Sequence, residues 1–272
     1  MYLQPVGEVM RILAGMIAAL VALGAQAPSA RADRGAPSEL RRVGPGTLPS
    51  FLARDGEASV PVPAFALEDR PVTRAQYRAF VAASPRWRPG AIPAVLAEPS
   101  YLAGWSPSED DGALPATEVS WHAARAYCRS HGRRLPTESE WEWAARADAT
   151  RADATGDPAH ARAVLDWYAR RGRVLRASGS GAPNVWGVRD LHGLVWEWVE
   201  DFGASMVASD DRERDARDGD RVCGAGALGG GDPGQYATFM RFAFRSSLRA
   251  SFALPQLGFR CAADLEGDQE EE

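Results

Sequence analysis

The sequence predicts a mixed α+β domain with little regular secondary structure, and three observations lead there. Two reciprocal capping boxes, Thr73 with Gln76 and Thr137 with Glu140, mark helix starts. In such a box the hydroxyl takes one free amide while the side chain three residues on reaches back to another. The apolar alternations, as in SVPVPAFALED from Ser59, are short. Between the periodic segments run long stretches of Pro, Gly and aromatic residues, the pattern of ordered loops rather than of repeated helices or strands.

In chain order, Arg11 precedes the apolar run ILAGMIAALVALGA, and small residues follow at Ala30-Arg31-Ala32. This is the layout of a signal peptide over residues 1–32, too short in its apolar part for a comfortable membrane span. Cleavage after Ala32 is preferred because the other candidate, Ala25-Gln26-Ala27, puts Pro28 immediately after the cut. An uncleaved signal anchor is the alternative; otherwise no stable membrane insertion is expected. Residues 33–56, rich in Arg, Pro, Ser and Gly, read as a flexible linker. The main domain is placed at 57–265. Within it SVPVPAFALED reads as a strand, and the Thr73 box opens a helix through Tyr77, Phe80 and Val81. From Trp87 to Gly112 the aromatic residues either line a groove or, as the simpler reading has it, pack the loop down.

Ser120 caps a helix that runs through Tyr127 and Cys128 to a stop near Gly132. Pro136 and the Thr137 box start the next, with Trp141, Ala144 and Ala145 at helical spacing. Two tandem RADAT copies, from Arg146 and Arg151, read as a surface insertion extending that helix. DLHGLVWEWVEDF alternates as a half-buried strand would, with Trp196 and Trp198 on one side and Glu197 on the other. Residues 205–234 read as charged and Gly-rich loops, Leu254 to Gln256 as a polar turn, and 266–272 as an acidic tail.

The stretch PATEVSWHAARAYCRSHGRRLPTESEWEWAARA from Pro115 closely resembles the signature of the formylglycine-generating enzyme family, also called sulfatase-modifying factors. PVTRAQYRAFV from Pro71, NVWGVRDLHGLVWEWVEDF from Asn184 and LGFRCA from Leu257 agree in the same order. The resemblance implies a C-type-lectin-like fold with FMRFAFRSSLRA and LGFRCAA as its last strands, and a disulfide between Cys128 and Cys261, leaving Cys223 unpaired. Active members bind copper(I) with two further cysteines, which suits a soft metal. Counting back without gaps from RSS and LGFRCA, those positions fall on Asp232 and Ala237; a gapped alignment through CGAGALGGGD moves Cys223 towards the first of them but still leaves the second ligand missing, so copper is doubtful and Cys223 is only a weak candidate for a catalytic thiolate. The family's calcium-binding Asn is Leu194 here, so Glu197 is a weak calcium candidate. Arg245 matches an Arg lining the substrate-peptide groove, or else makes a structural salt bridge. Trp198 matches a groove aromatic, with core packing the simpler reading. His122, His131, His160 and His192 show no metal-ligand spacing, and His192 reads as structural.

A formal charge of -5 gives no reason to expect nucleic acid as a partner. No nucleophile elbow or phosphate-cradling motif is present. Three functions follow from the resemblance and its departures. The first is a periplasmic or secreted accessory or maturation factor for an exported protein or peptide client, such as a redox enzyme. The second is an oxidase converting a substrate cysteine to formylglycine, using Cys223 with an unusual second ligand such as Met240 or a histidine. The third is a non-catalytic lectin-like binding module. The N-terminal layout predicts a mature chain beginning at Asp33; intact-mass analysis of the exported protein that finds Met1 retained contradicts cleavage.

Overall fold

The computed structural model describes residues 36–48, 59–108, 110–169, 174–202 and 233–265. Strands β1 (Leu40–Val43), β4 (Phe65–Glu68) and β7 (Ala262–Asp264) form an antiparallel sheet in the order β1-β4-β7. All four residues of β4 are buried, as a central strand covered on both faces must be. Leu40 pairs with Glu68 on one side, and Leu67 pairs with Ala262 on the other. Strands β2 (Gly46–Leu48) and β3 (Val60–Val62) pair antiparallel, and β5 (Trp196–Glu197) pairs parallel with β6 (Leu257–Gly258). The mixed α+β class with sparse regular structure is borne out.

The helix starts follow their local chemistry. Helix α1 (Arg74–Ala83) carries the Thr73 box: the hydroxyl accepts the Gln76 N–H at 3.2 Å and Gln76 Oε1 accepts the Thr73 N–H at 2.8 Å. Helix α3 (Glu138–Ala145) repeats this with Thr137 and Glu140 at the same two distances. A cap of this kind contributes about 1 kcal/mol. Helix α2 (Trp121–Ser130) is capped by Ser120 and ends where Gly132 takes a φ of +67°, which lets Arg133 N–H reach back to the Cys128 carbonyl at 2.9 Å.

Two clusters of buried side chains make the core. In the first, Tyr77 and Phe80 of α1 meet Tyr127 of α2, Phe259 and Trp198. Trp87 and Tyr101 are buried there and Trp105 packs against it, so the 87–112 aromatics pack their loop down. In the second, Val43, Leu48, Phe65 and Leu67 meet Trp141 and Trp143 of α3. A Cβ at Gly46 would lie 2.0 Å from the Trp143 ring, so only glycine lets β2 rest on that indole.

The structure corrects four expectations. The 33–56 segment is not wholly a linker: β1 and β2 lie in it, because pairing with β4 and the Trp143 N–H to the Gly44 carbonyl (2.9 Å) hold a stretch whose own apolar pattern is thin. The RADAT copies do not extend α3, which stops at Ala145. They fold a loop in which each copy pairs with the other, Arg146 with Asp153 at 2.8 Å and Arg151 with Asp148 at 2.5 Å. An unforeseen helix α4 (Pro158–Ala169) follows. FMRFAFRSS is no strand but part of helix α5 (Pro233–Ser246), whose inward residues Ala237, Arg241 and Arg245 recur every four positions. The half-buried strand at VWEW pairs over only two residues, and Glu197 and Trp198 are both buried. Among the described residues no helix is long and apolar enough to cross a membrane.

The structure joins Cys128 to Cys261, 133 residues apart in sequence, inside the first cluster. Closing a loop of that length removes about 5 kcal/mol of unfolded-state entropy in the chain-entropy model. Replacing both cysteines by alanine is expected to lower the urea-unfolding free energy by up to that amount. Non-reducing peptide mapping that finds two free thiols refutes the pairing.

Candidate functional site

The centre of the domain is polar. Glu197 on β5 receives a two-pronged bond from Arg260, Nε to Oε2 and Nη2 to Oε1, both at 2.8 Å, with both side chains 0% exposed. The Trp141 indole N–H adds a third bond to Oε2 at 2.8 Å. Arg260 also donates to the carbonyls of Glu68 (3.2 Å) and Arg189 (2.9 Å). Glu68 lies next along, accepting the Cys261 N–H at 2.8 Å and pairing with Arg133. Burial pushes its carboxyl up to about 7, against the pull of that N–H and of Arg133.

Helix α5 docks on α3 through charge. Arg241 grips both oxygens of Glu142, with bonds of 2.6 to 3.0 Å, and Arg245 reaches Glu142 at 2.8 Å and Glu138 at 3.1 Å. The Arg245 guanidinium lies 4.7 Å from the centre of the Trp141 ring. Burial raises the Glu142 carboxyl, but the two guanidiniums outweigh it and hold the group below the usual range. Beside this network a small cavity separates the end of α3 from α4 and α5, with Ala237, His160 and His192 on its wall. His192 Nε2 lies 2.8 Å from the Ala145 carbonyl. Burial, then the nearby Arg241, brings its pKa down to about 3, so the ring is neutral.

Residues 29–265 match the model of the sulfatase-modifying factor enzyme 1-like domain. The chain belongs to this family. Its match starts ahead of residue 57, in keeping with β1 and β2. A formylglycine-generating enzyme of Streptomyces coelicolor is 35% identical over 168 residues, 56% of this chain and 53% of that protein. One of Mycobacterium tuberculosis is 29% identical over 276 residues, covering 76% and 89%. An inactive C-alpha-formylglycine-generating enzyme 2 of Bos taurus is 31% identical over 161 residues, covering 55% and 50%. The chain thus spans about half the length of the first and third of these relatives.

The two groove positions that the resemblance implies, Trp198 and Arg245, fall in the interior here. Trp198 is 0% exposed, and its indole donates to the Val119 carbonyl at 2.8 Å. The Arg245 side chain is 4% exposed and bound to two carboxylates, which is the salt-bridge reading of the two left open by the sequence. The structure does not bring Arg245 and Trp198 together on an open wall. Glu197 does not suit calcium. A hard cation wants several free oxygens, whereas both of these already face a guanidinium, and the neighbouring Leu194 is apolar and buried. Cys223 and Asp232 lie outside the described residues. Among those described, no group of three or more His, Cys, Asp or Glu is placed to hold a metal ion.

Sequence reasoning missed Arg241, Glu142 and Arg260. A signal was available for the first two: Glu138 and Glu142 are four apart on one helix, and Arg241 and Arg245 four apart on another, which matches two faces in register. Breaking a buried ion pair on one side costs about 3–5 kcal/mol. Because Glu142 keeps Arg241, Arg245→Ala is expected near the lower end, at a loss of about 3 kcal/mol in urea unfolding. A change below about 0.5 kcal/mol, as for an exposed side chain, would show that Arg245 does not hold α5 to α3.

Proposed function

We propose that this chain is an exported accessory or maturation factor that engages a protein or peptide client on a formylglycine-generating-enzyme scaffold without copper-dependent cysteine oxidation. The observation that carries this reading is Ala237. The family resemblance, counted without gaps, puts the second copper thiolate of active members at this position, and the side chain here is a methyl group, 2% exposed, on the inner face of α5. Oxidising a thiol with oxygen requires a metal that binds the thiolate, and a soft copper(I) ion is held by soft ligands. Alanine offers none. The inward commitment of Arg245 supports the same reading, since a side chain bound to Glu138 and Glu142 is not available to a peptide. The scaffold also occurs in the Bos taurus relative whose name describes it as inactive.

The competing reading is a copper- and oxygen-dependent oxidase with Cys223 as its one thiolate. The Streptomyces coelicolor relative, named as a formylglycine-generating enzyme, supports it. The two are separated by incubating the purified protein with copper, oxygen and a peptide carrying Cys-x-Pro-x-Arg. The expected result is an unchanged cysteine by mass spectrometry. An aldehyde product formed by the wild type and lost in Cys223→Ala would replace the accessory reading with the oxidase.

A further inference from the structure

Residues 36–42 lie on the domain with almost no apolar grip. Of their side chains only Ser38 is buried, and the first apolar anchor is Val43, 0% exposed in the second cluster. Gly44 is pinned beside it, since the Trp143 indole N–H donates to its carbonyl. The segment ahead of that anchor is held by polar links. Gln76 Nε2 donates to the Ala36 carbonyl at 2.6 Å and lies 3.3 Å from Ser38 Oγ, and Asp69 N–H reaches the Glu39 carbonyl at 2.8 Å. Strand β1 itself is an edge strand, paired on one side with β4. A stretch with so few buried apolar contacts is one that opens ahead of the rest of a domain.

One link is shared with a buried acid. Arg133 Nη1 donates to the Ser38 carbonyl at 2.8 Å and also to Glu68 Oε1, and Leu40 is the β1 residue opposite Glu68. Glu197, Glu142 and Glu68 are all buried, and they differ in what meets their oxygens. The first two each take both prongs of one guanidinium and a further bond. Among the described residues Glu68 has that shared nitrogen and the Cys261 N–H at 2.8 Å. Its other charged and titratable neighbours add no bond to the carboxyl. Arg260 gives its prongs to Glu197 and meets only the main-chain carbonyl of Glu68, and the Tyr127 hydroxyl on α2 is kept neutral by burial. A carboxylate has about four lone-pair sites, and a buried ion with half of them filled is costly. The neutral carboxyl therefore suits the closed arrangement, and water, admitted when the segment lifts, suits the ion.

We propose that residues 36–42 are a proton-gated strap, hinged at Val43 and Gly44, which lies on β4 while Glu68 is protonated and lifts as Glu68 ionises. Lifting bares the edge of β4 that β1 covers. The direction follows from linkage. Burial pushes the closed-state carboxyl from its ordinary value of 4.5 up to about 7, so opening the strap to water makes Glu68 more acidic and releases a proton. The hold is full below pH 4.5 and is lost as the pH rises through about 7. Within that window the opening equilibrium grows by up to about tenfold per pH unit.

Hydrogen exchange of the full chain, read by mass spectrometry and corrected for the intrinsic effect of pH on amide exchange, tests the strap. Protection of the Leu40–Val43 amides is expected to fall by at least about tenfold between about pH 5 and 7 and to level off above that. It should stay below the protection of α2 at every pH, because the strap opens without the domain. In Glu68→Gln the fall should vanish, which separates Glu68 from His131, whose ring centre lies 4.6 Å from that of Tyr127. Protection that is flat or rises with pH, that is never lower than in α2, or that falls unchanged in Glu68→Gln overturns the proposal. Should that variant fail to fold, carboxyl-carbon NMR of the glutamate-labelled wild type decides. One glutamate must titrate with the midpoint of the exchange curve, and a curve without a matching glutamate overturns the strap.

Discussion

The domain depends on one ion pair, Glu197 with Arg260, which has no solvent at all around either side chain. Such a pair is costly to bury and is tolerated only where every prong finds a partner. Here each does. Arg260 ties β5 to the carbonyl at the end of β4 and to the loop at Arg189, and Glu197 holds the indole of Trp141 on α3. Five separate stretches of chain, counting the one that carries Arg260, are thereby fixed to one point. Neither side chain could be removed without leaving a bare charge among aromatic rings. Apolar substitutes would fill the same volume without dictating which segments meet.

The same logic extends outward to α5. Among its described residues the buried positions are Ala237, Arg241 and Arg245, and Phe244 adds a ring contact to Trp196 with centres 4.2 Å apart. Its two arginines are matched to two glutamates of α3, above the ring of Trp141. Charge pairs at fixed spacing discriminate registers more sharply than a greasy seam, because a shift along the helix would put both guanidiniums opposite the wrong groups. On its inner side α5 contributes Ala237, Thr238 and Arg241 to the wall of a small cavity.

Much of the fold was legible in the sequence because cap chemistry is local. Thr73, Ser120 and Thr137 each announce a helix through atoms within three residues of themselves, and all three helices begin where those residues say. The parts that were misread depend on distant partners. FMRFAFRSS takes its strand assignment from the family fold, and only the glutamates of α3 reveal that its arginines point inward from a helix. Strands β1 and β2 are held by β4, β3 and Trp143, none of which their own composition discloses. Glu197 and Arg245 were singled out from family resemblance, yet their surroundings, which a sequence does not display, give them structural partners. The Cys128–Cys261 bond likewise came from resemblance; spacing alone does not select it.

The exchanged ion pairs of the duplicated pentad have a consequence for how such a loop can arise. A short unit that contains both an arginine and an aspartate is complementary to a copy of itself. Tandem duplication therefore supplies the partner in the same event that supplies the length. Arg146 with Asp153 and Arg151 with Asp148 are the two halves of that reciprocity. An insertion of this type arrives already cross-linked by its own charges, and here Asp157, just beyond the second copy, adds a further bond to Arg151 at 2.7 Å.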